Sequence, residues 1–337
     1  MLKFIKILLV LGVLVATAGA AGFFWIVSSP IVLQSPSLDF KMDFHIAPGS
    51  GLRSAARQIA DAGAELNPWV FTALGKLMRS EASIKAGSYE LGQGVTPQQL
   101  MLKLTRGDVT QAEIAFIEGW TFRQMRERLD AHPDLRHESK DLSESEIMQR
   151  LGASELQAEG LLFPDTYLFS KRSSDLEVLA RAYRAMQRHL MREWANKAVG
   201  LPYADAYQAL VMASIVEKET GKEQDRPLIA AVFGNRLQRG MLLQTDPTVI
   251  YGIGTSFDGN LRKHDLQTDT PYNTYLRAGL PPTPIAMPGL ASLQATLHPA
   301  ASEALYFVAR GDGSSQFSRT LEEHNQAVNR YQRGGKR

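Results

Sequence analysis

The sequence predicts an α+β protein behind a single N-terminal membrane helix. Three observations carry this expectation. No charged residue occurs from Ile7 to Val27. Over roughly 40–108 the pattern runs strand, helix, helix, strand, helix. From 109 onward helical stripes are mixed with short strand-like runs, as in an α+β domain. The chain of 337 residues is long enough for two cores. The expected division is 1–29, 38–108 and 109–337.

The opening "MLKFIKILLVLGVLVATAGAAGFFWIVSSP" carries Lys3 and Lys6, then an apolar run. A helix needs roughly 20 apolar residues to cross a hydrocarbon core of about 30 Å, and this run suffices. The two lysines favour a cytoplasmic N-terminus, with the remainder outside the inner membrane. Phe23, Phe24 and Trp25 close the span as an interfacial belt would. A cleavable signal peptide is the alternative, because "ATAGAA" holds small-x-small sites. The apolar run continues past them through "GFFWIV", which favours a retained anchor.

Residues 30–48 read as extended: "SPIVLQSP" is a proline-bounded linker and "LDFKMDFHI" alternates like a strand. Leu52, Ala56, Ile59 and Ala60 recur at helical spacing and stop at Gly63. Asn67 caps a second helix with Pro68 at its first position. "IKAGSYEL" is a short strand whose Tyr89 either fills a two-layer core, the preferred reading, or covers a sugar. Thr96, Pro97 and Gln99 open a third helix with a capping box, ending near Gly107.

"DVTQAEIAFIEG" reads as a strand, and Thr121 with Gln124 repeats the box spacing. The polar run from His132 to Ser145 reads as an exposed excursion, and "EGLLFPDTYLF" is broken by Pro164. A long helix follows, with Leu176, Leu179, Ala180, Tyr183, Met186, Leu190 and Met191 on its stripe. Another begins after Pro202 and ends at Glu219, and a third covers "PLIAAVFGNRLQRG". The stretch 244–299 is rich in proline and glycine. Strand-like "ALYFVA", a glycine turn and a helix boxed by Thr320 and Glu323 complete the chain.

Composition excludes several chemistries. Lys+Arg 37 against Asp+Glu 35, with no basic run, gives no nucleic-acid footprint. Absence of cysteine removes disulfides, thiol nucleophiles and thiolate metal sites. No His-Glu-x-x-His, Gly-x-Ser-x-Gly, Ser-x-x-Lys or phosphate loop occurs. His264, Asp265 and Asp269 in "KHDLQTD" read as a surface loop rather than a metal site.

Carboxylates remain. In "AYQALVMASIVEKET", Ala209, Met212, Val216 and Glu219 form one helical stripe. Leu210, Ala213 and Glu217 form another, about 200° from Glu219. The two glutamates therefore cannot both face one cleft. Glu219, at the helix end on an apolar face, suits a carboxyl whose pKa is raised for proton donation. A solvated helix end is the plainer alternative. "LQTDPTVIYGIG", "TPYNTYLRAGLPPTPIAMPG", "LHPA", "LYFVA" and "EEHN" add tyrosines, amides and constrained backbone. Tyr251, Tyr272 and Tyr275 offer faces suited to sugar rings, though core packing competes. Gln244, Thr245, Asp246 and Asn273 are hydroxyl-binding types, though Asp246 before Pro247 could equally begin a turn.

These stretches, with "MASIVEKET", "VFGNRLQRGMLLQTDPTVIYG" and "FVARGDG", resemble the YceG-like family, the endolytic murein transglycosylases. The resemblance implies an inner-membrane anchor, a LysM-like module at 38–108 and a periplasmic catalytic domain at 109–337. It implies cleavage within peptidoglycan strands between N-acetylmuramic acid and N-acetylglucosamine, leaving 1,6-anhydro ends that trim or terminate nascent strands. The family's catalytic glutamate falls on Glu219, with Glu217 the alternative. No cofactor or metal is implied. Peptidoglycan strands and the inner membrane are the expected partners, with cell-wall synthases as further candidates and no nucleic acid. Competing readings are a noncatalytic peptidoglycan-binding scaffold for synthases, a hydrolase using Asp246 as second carboxylate, and a tethered sensor.

Overall fold

The computed structural model describes residues 2–33, 41–80, 83–153 and 157–334. It is a mixed α+β structure in two compact units, Met1–Glu113 with Leu168–Ser173, and Ile114–Tyr167 with Ser174–Arg337.

The first unit begins with α1 (Leu2–Ser28), whose Ile5–Ser28 stretch has mean hydropathy 2.4 and is long enough to cross a membrane. Next come β1 (Val32–Leu33), β2 (Lys41–Ile46), α2 (Leu52–Asp61), β3 (Ala64–Glu65), α3 (Pro68–Leu77), β4 (Gly87–Gly92) and α4 (Pro97–Arg106). Part of the extended run expected over 30–48, residues 34–40, lies outside the described residues. β2 and β4 pair antiparallel with Phe44 opposite Tyr89. That register turns Met42, Phe44 and Ile46 inward onto α2 and α4. Tyr89 is fully buried, stacks on Phe44 at 5.5 Å and donates its hydroxyl to the Lys85 carbonyl at 2.6 Å. It is therefore a core residue. Thr96 and Gln99 form the expected capping box of α4.

Between and beyond lie β5 (Gln111–Ala115), α5 (Phe122–Asp130), β6 (Leu135–Arg136), α6 (Glu144–Arg150), β7 (Thr166–Ser170), β8 (Ser173–Ser174) and α7 (Asp175–Ala195). Helices α8 (Ala206–Glu219), α9 (Arg226–Gln238), α10 (Asp246–Ile253), α11 (Lys263–Gln267) and α12 (Leu290–Leu297) follow. The chain ends in the hairpin β9 (Tyr306–Ala309) and β10 (Ser315–Ser318), then α13 (Leu321–Val328). β5 pairs with β7, and β6 with β8.

The centre of the second unit is α8. Every residue from Ala209 to Val216 is buried, because α7, α9, α10 and α12 pack around it. The stripe expected from spacing is therefore not what distinguishes Glu219; the end of the helix is. On α7 the buried face is Val178, Leu179, Ala182, Ala185, Met186 and Leu190, so Leu179, Met186 and Leu190 of the expected stripe are buried, Leu176, Ala180 and Tyr183 are half-buried and Met191 is exposed.

The segment 132–145 is largely exposed, as expected, but His132, Leu135 and Ser139 anchor it to the unit. Leu135 and Ser139 are buried, and the Arg126 guanidinium donates to the carbonyls of Ser139, Lys140 and Leu142. Buried Asp175 accepts from the Ser139 amide at 3.1 Å and its hydroxyl at 2.6 Å. The polar composition here serves both solvation and this internal hydrogen bonding. The proline- and glycine-rich stretch 244–299 holds α10, α11 and α12, which are too short for a clear periodicity.

Candidate active site

Glu219 is the last residue of α8, and Thr220 is already extended at φ −151° and ψ 136°. The carboxylate thus stands where the buried helix meets a cavity of about 380 Å³. Its walls come from Phe233 and Arg236 on α9, Leu243 and Gln244 ahead of α10, Asp246 at its start, and Tyr275. Tyr306, Phe307 and His324 close the far side.

The segment before α10 holds the acid. Thr245 Oγ1 donates to Glu219 Oε1. The Thr245 amide in turn donates to Thr274 Oγ1 at 3.2 Å, and Thr248 Oγ1 donates to the Thr245 carbonyl at 2.8 Å. Gln244 sits in the left-handed region at φ 50°, a conformation costing about 1–2 kcal/mol for a non-glycine residue. The bond from its amide to the Thr274 carbonyl at 3.1 Å helps hold it there.

Burial is the main cause that pushes the Glu219 carboxyl up to about 7, and the neighbouring Asp246 charge adds to it. The Thr245 hydroxyl and the Arg236 charge work in the opposite direction. Arg236 is itself buried, and its donors go to the carbonyls of Leu305 at 2.7 Å and Leu243 at 2.9 Å. Hence it supplies positive charge without forming an ion pair with the acid. His324 stacks on Tyr306 at 5.2 Å, and burial followed by the Arg236 charge lowers its pKa, favouring a neutral imidazole.

Glu217 faces elsewhere. Its Oε2 accepts from the Gly289 amide at 3.0 Å and Ser292 Oγ at 2.7 Å, covering the start of α12. Arg226 lies 4.0 Å from its other oxygen. Among the other residues singled out, Gln244, Asp246 and Tyr275 share the Glu219 cavity, and the Tyr275 hydroxyl donates to Asp246. Asn273 is fully buried: its amide group donates to the carbonyls of Leu266 and Thr268, and its oxygen accepts from the Tyr275 amide. It shapes the loop. Tyr251 and Tyr272 are T-stacked at 4.8 Å and line a different cleft.

Arg236, Phe233 and Leu321 escaped the sequence reading as site residues, and "LYFVA" and "EEHN" pointed only broadly at Tyr306, Phe307 and His324. An arginine inside an otherwise apolar helix was the available signal for Arg236. Among groupings with metal-ligand donors, Asp130, His137 and Asp175 bring ligand atoms within 4.8 Å of one another. Asp175 already serves Ser139 there.

A buried helix thus ends on a raised carboxyl that lines a cavity with aromatic and amide side chains. The chain belongs to the YceG-like family, whose profile matches residues 44–330. It is 35% identical over 272 residues to a Bacillus subtilis endolytic murein transglycosylase, covering 75% of this chain and 74% of that one. An endolytic murein transglycosylase of Streptococcus pneumoniae is 26% identical, covering 96% of this chain and 64% of its own length. The crystal structure of a yceG-like protein from Listeria monocytogenes superposes with TM-score 0.53 at 31% identity, covering 85% of this chain and 98% of that one.

Proposed function

We propose that the chain is a membrane-anchored, endolytic lytic transglycosylase of peptidoglycan, with Glu219 as its single acid and base. The observation that carries this reading is the Glu219 carboxyl, raised to about 7 in a cavity wall. At neutral pH a substantial fraction is protonated and able to donate. The proton goes to the glycosidic oxygen between N-acetylmuramic acid and N-acetylglucosamine as the bond from that oxygen to the anomeric carbon breaks. The carboxylate then takes the proton of the muramic acid 6-hydroxyl as that oxygen bonds to the anomeric carbon. No water is consumed, and the product carries a 1,6-anhydro end. General acid/base help of this kind contributes typically 10²–10⁴-fold, with positioning supplying much of the rest.

In this reading α1 tethers the chain to the inner membrane with Lys3 and Lys6 on the cytoplasmic side. Residues 38–108 form a LysM-like glycan-binding module, and 109–337 carry the chemistry in the periplasm. Purified sacculi digested with the full chain should release 1,6-anhydromuropeptides, and Glu219→Gln should abolish that release while the protein stays folded. Full release by the variant would move the acid elsewhere.

One observation favours a second reading. Asp246 lines the same cavity as Glu219, and a hydrolase needs two carboxyl groups about 5–9.5 Å apart across the bond. Mass spectra of the products separate the two, since hydrolysis leaves a reducing end.

A further inference from the structure

The cavity around Glu219 is not the largest concavity among the described residues. A cleft of about 1100 Å³ lies in the same unit. Its walls include Lys218 and Pro247, the chain neighbours of Glu219 and Asp246, so the end of α8 and the start of α10 contribute to both concavities. The apolar lining includes Phe122, Ile250, Tyr251, Phe257, Tyr272 and Ile285. Thr255 adds a neutral hydroxyl, and Thr121 and Gln124 line the cleft while bonded to each other in the α5 capping box.

A buried carboxyl fixes this surface. Glu159, 6% exposed, accepts from the Phe122 amide at 3.0 Å and from the Tyr251 hydroxyl at 3.1 Å. Loss of water around it pushes its pKa to about 7, and the Tyr251 and Phe122 bonds work against that rise. The Tyr251 ring is thereby held at both ends, by Glu159 and by its T-shaped contact with Tyr272. Such a face is set before a ligand arrives, which lowers the ordering cost of binding.

The geometry points to this cleft as a second saccharide-binding segment, which holds the uncharged N-acetylated sugar rings of the same strand that is cut at Glu219. The inference rests on the proposed transglycosylase reading and extends it. Three observations support it. Ligand sites commonly measure 300–1,000 Å³, and the Glu219 cavity of about 380 Å³ is at the small end of that range for a polymer cut internally. Aromatic faces with neutral hydroxyl and amide groups match sugar rings. The charged rim is largely committed within the protein. Arg123 pairs with Glu127 at 2.8 Å, Arg126 serves three carbonyls, Lys218 donates to the Gly119 carbonyl at 3.2 Å, and Glu144 accepts from the Ala158 amide at 2.7 Å. That leaves Asp130, one of whose oxygens has no hydrogen-bond partner, as an uncommitted carboxylate on the rim, and the aromatic faces favour the glycan.

The test uses the full chain in detergent with Glu219→Gln to prevent turnover. The probes are purified strands with their stem peptides intact, and the same strands stripped of peptide by an amidase. Thr255→Trp, which fills the cleft from an exposed position, and Phe257→Ala, which removes an aromatic wall, are compared by calorimetry. Each should weaken binding of stripped strands roughly tenfold, and with Glu219 restored should slow release from long strands by a similar factor. A far-UV spectrum and melting curve verify folding, and Phe257→Ala decides if Thr255→Trp misfolds. Unchanged binding of stripped strands overturns the inference. Weakening seen only with stem-bearing strands also overturns it, in favour of the peptide. Neither result touches the assignment of Glu219, which fails only if Glu219→Gln keeps releasing anhydro ends.

Discussion

At the scale of single residues, a raised carboxyl has consequences for both rate and stability. A general acid must be protonated, and the protonated fraction of Glu219 falls as pH rises through about 7. Anhydro-end release should therefore decline on the alkaline side of about pH 7. Thr245→Val removes a hydrogen bond that favours the ionised form, so the decline should shift to higher pH in that variant. A pH–rate profile of both proteins on stripped strands checks this, and an unmoved limb would dissociate Thr245 from the acid. For stability the sign is that of a group raised from 4.5 to about 7 on folding. Its contribution is fully present below pH 4.5 and is lost as pH rises to about 7, leaving the native state up to about 3 kcal/mol less favoured above that. Glu219→Gln should therefore melt several degrees above the wild type at pH 8, with the gap closing toward pH 4.5. Equal melting temperatures at both pH values would mean that the carboxyl is solvated.

At the scale of elements, the two glutamates of "EKE" face different surroundings, Glu219 the cavity and Glu217 the start of α12. Glu217 joins α8 to the start of α12 through Gly289 and Ser292. Glu217→Ala leaves the Gly289 amide without that acceptor and should lower stability by about 1–3 kcal/mol in a denaturant titration. Glu217→Gln keeps an acceptor oxygen and should retain most of the anhydro-end release, an outcome impossible if Glu217 were the acid. How far such elements could be read beforehand followed the range of the forces that form them. The boxes of Thr96 with Gln99, Thr121 with Gln124, and Thr320 with Glu323 are local, and all three form. Ser143 with Glu146 caps α6 in the same way but sat at the edge of a polar run read as exposed. That run is ordered by Arg126 and Asp175, partners that no local pattern announces. Glu219 was legible because a helix visibly ends there. Arg236, Tyr306 and His324 reach the same cavity from α9, β9 and α13, and only tertiary packing brings them together.

At the scale of the molecule, the C-terminal end of α1 has one exposed side and one packed side. Phe24 and Trp25 are 70% and 71% exposed, whereas Val27 is buried and Phe23 packs beside it against the core of the first unit. Ile31 and Leu33 continue into that core. The last turns of the apolar helix are therefore also part of the first unit's fold. A chain beginning at residue 30 loses Val27 and Phe23 from that core, and full burial of one such side chain is worth about 1.5–3 kcal/mol. The first unit of that truncation should unfold at lower denaturant than that of a chain beginning at residue 22, with the second unit unchanged in both. Stability alone does not decide whether the helix is retained, because a cut within "ATAGAA" would leave Phe23–Val27 in place. Intact mass and an N-terminal tag decide it: a retained anchor keeps the tag on a full-length chain in the membrane fraction. A mature mass short by about the first twenty residues would make the helix a leader. The end of α1 would then survive solely as a wall of the first unit's core.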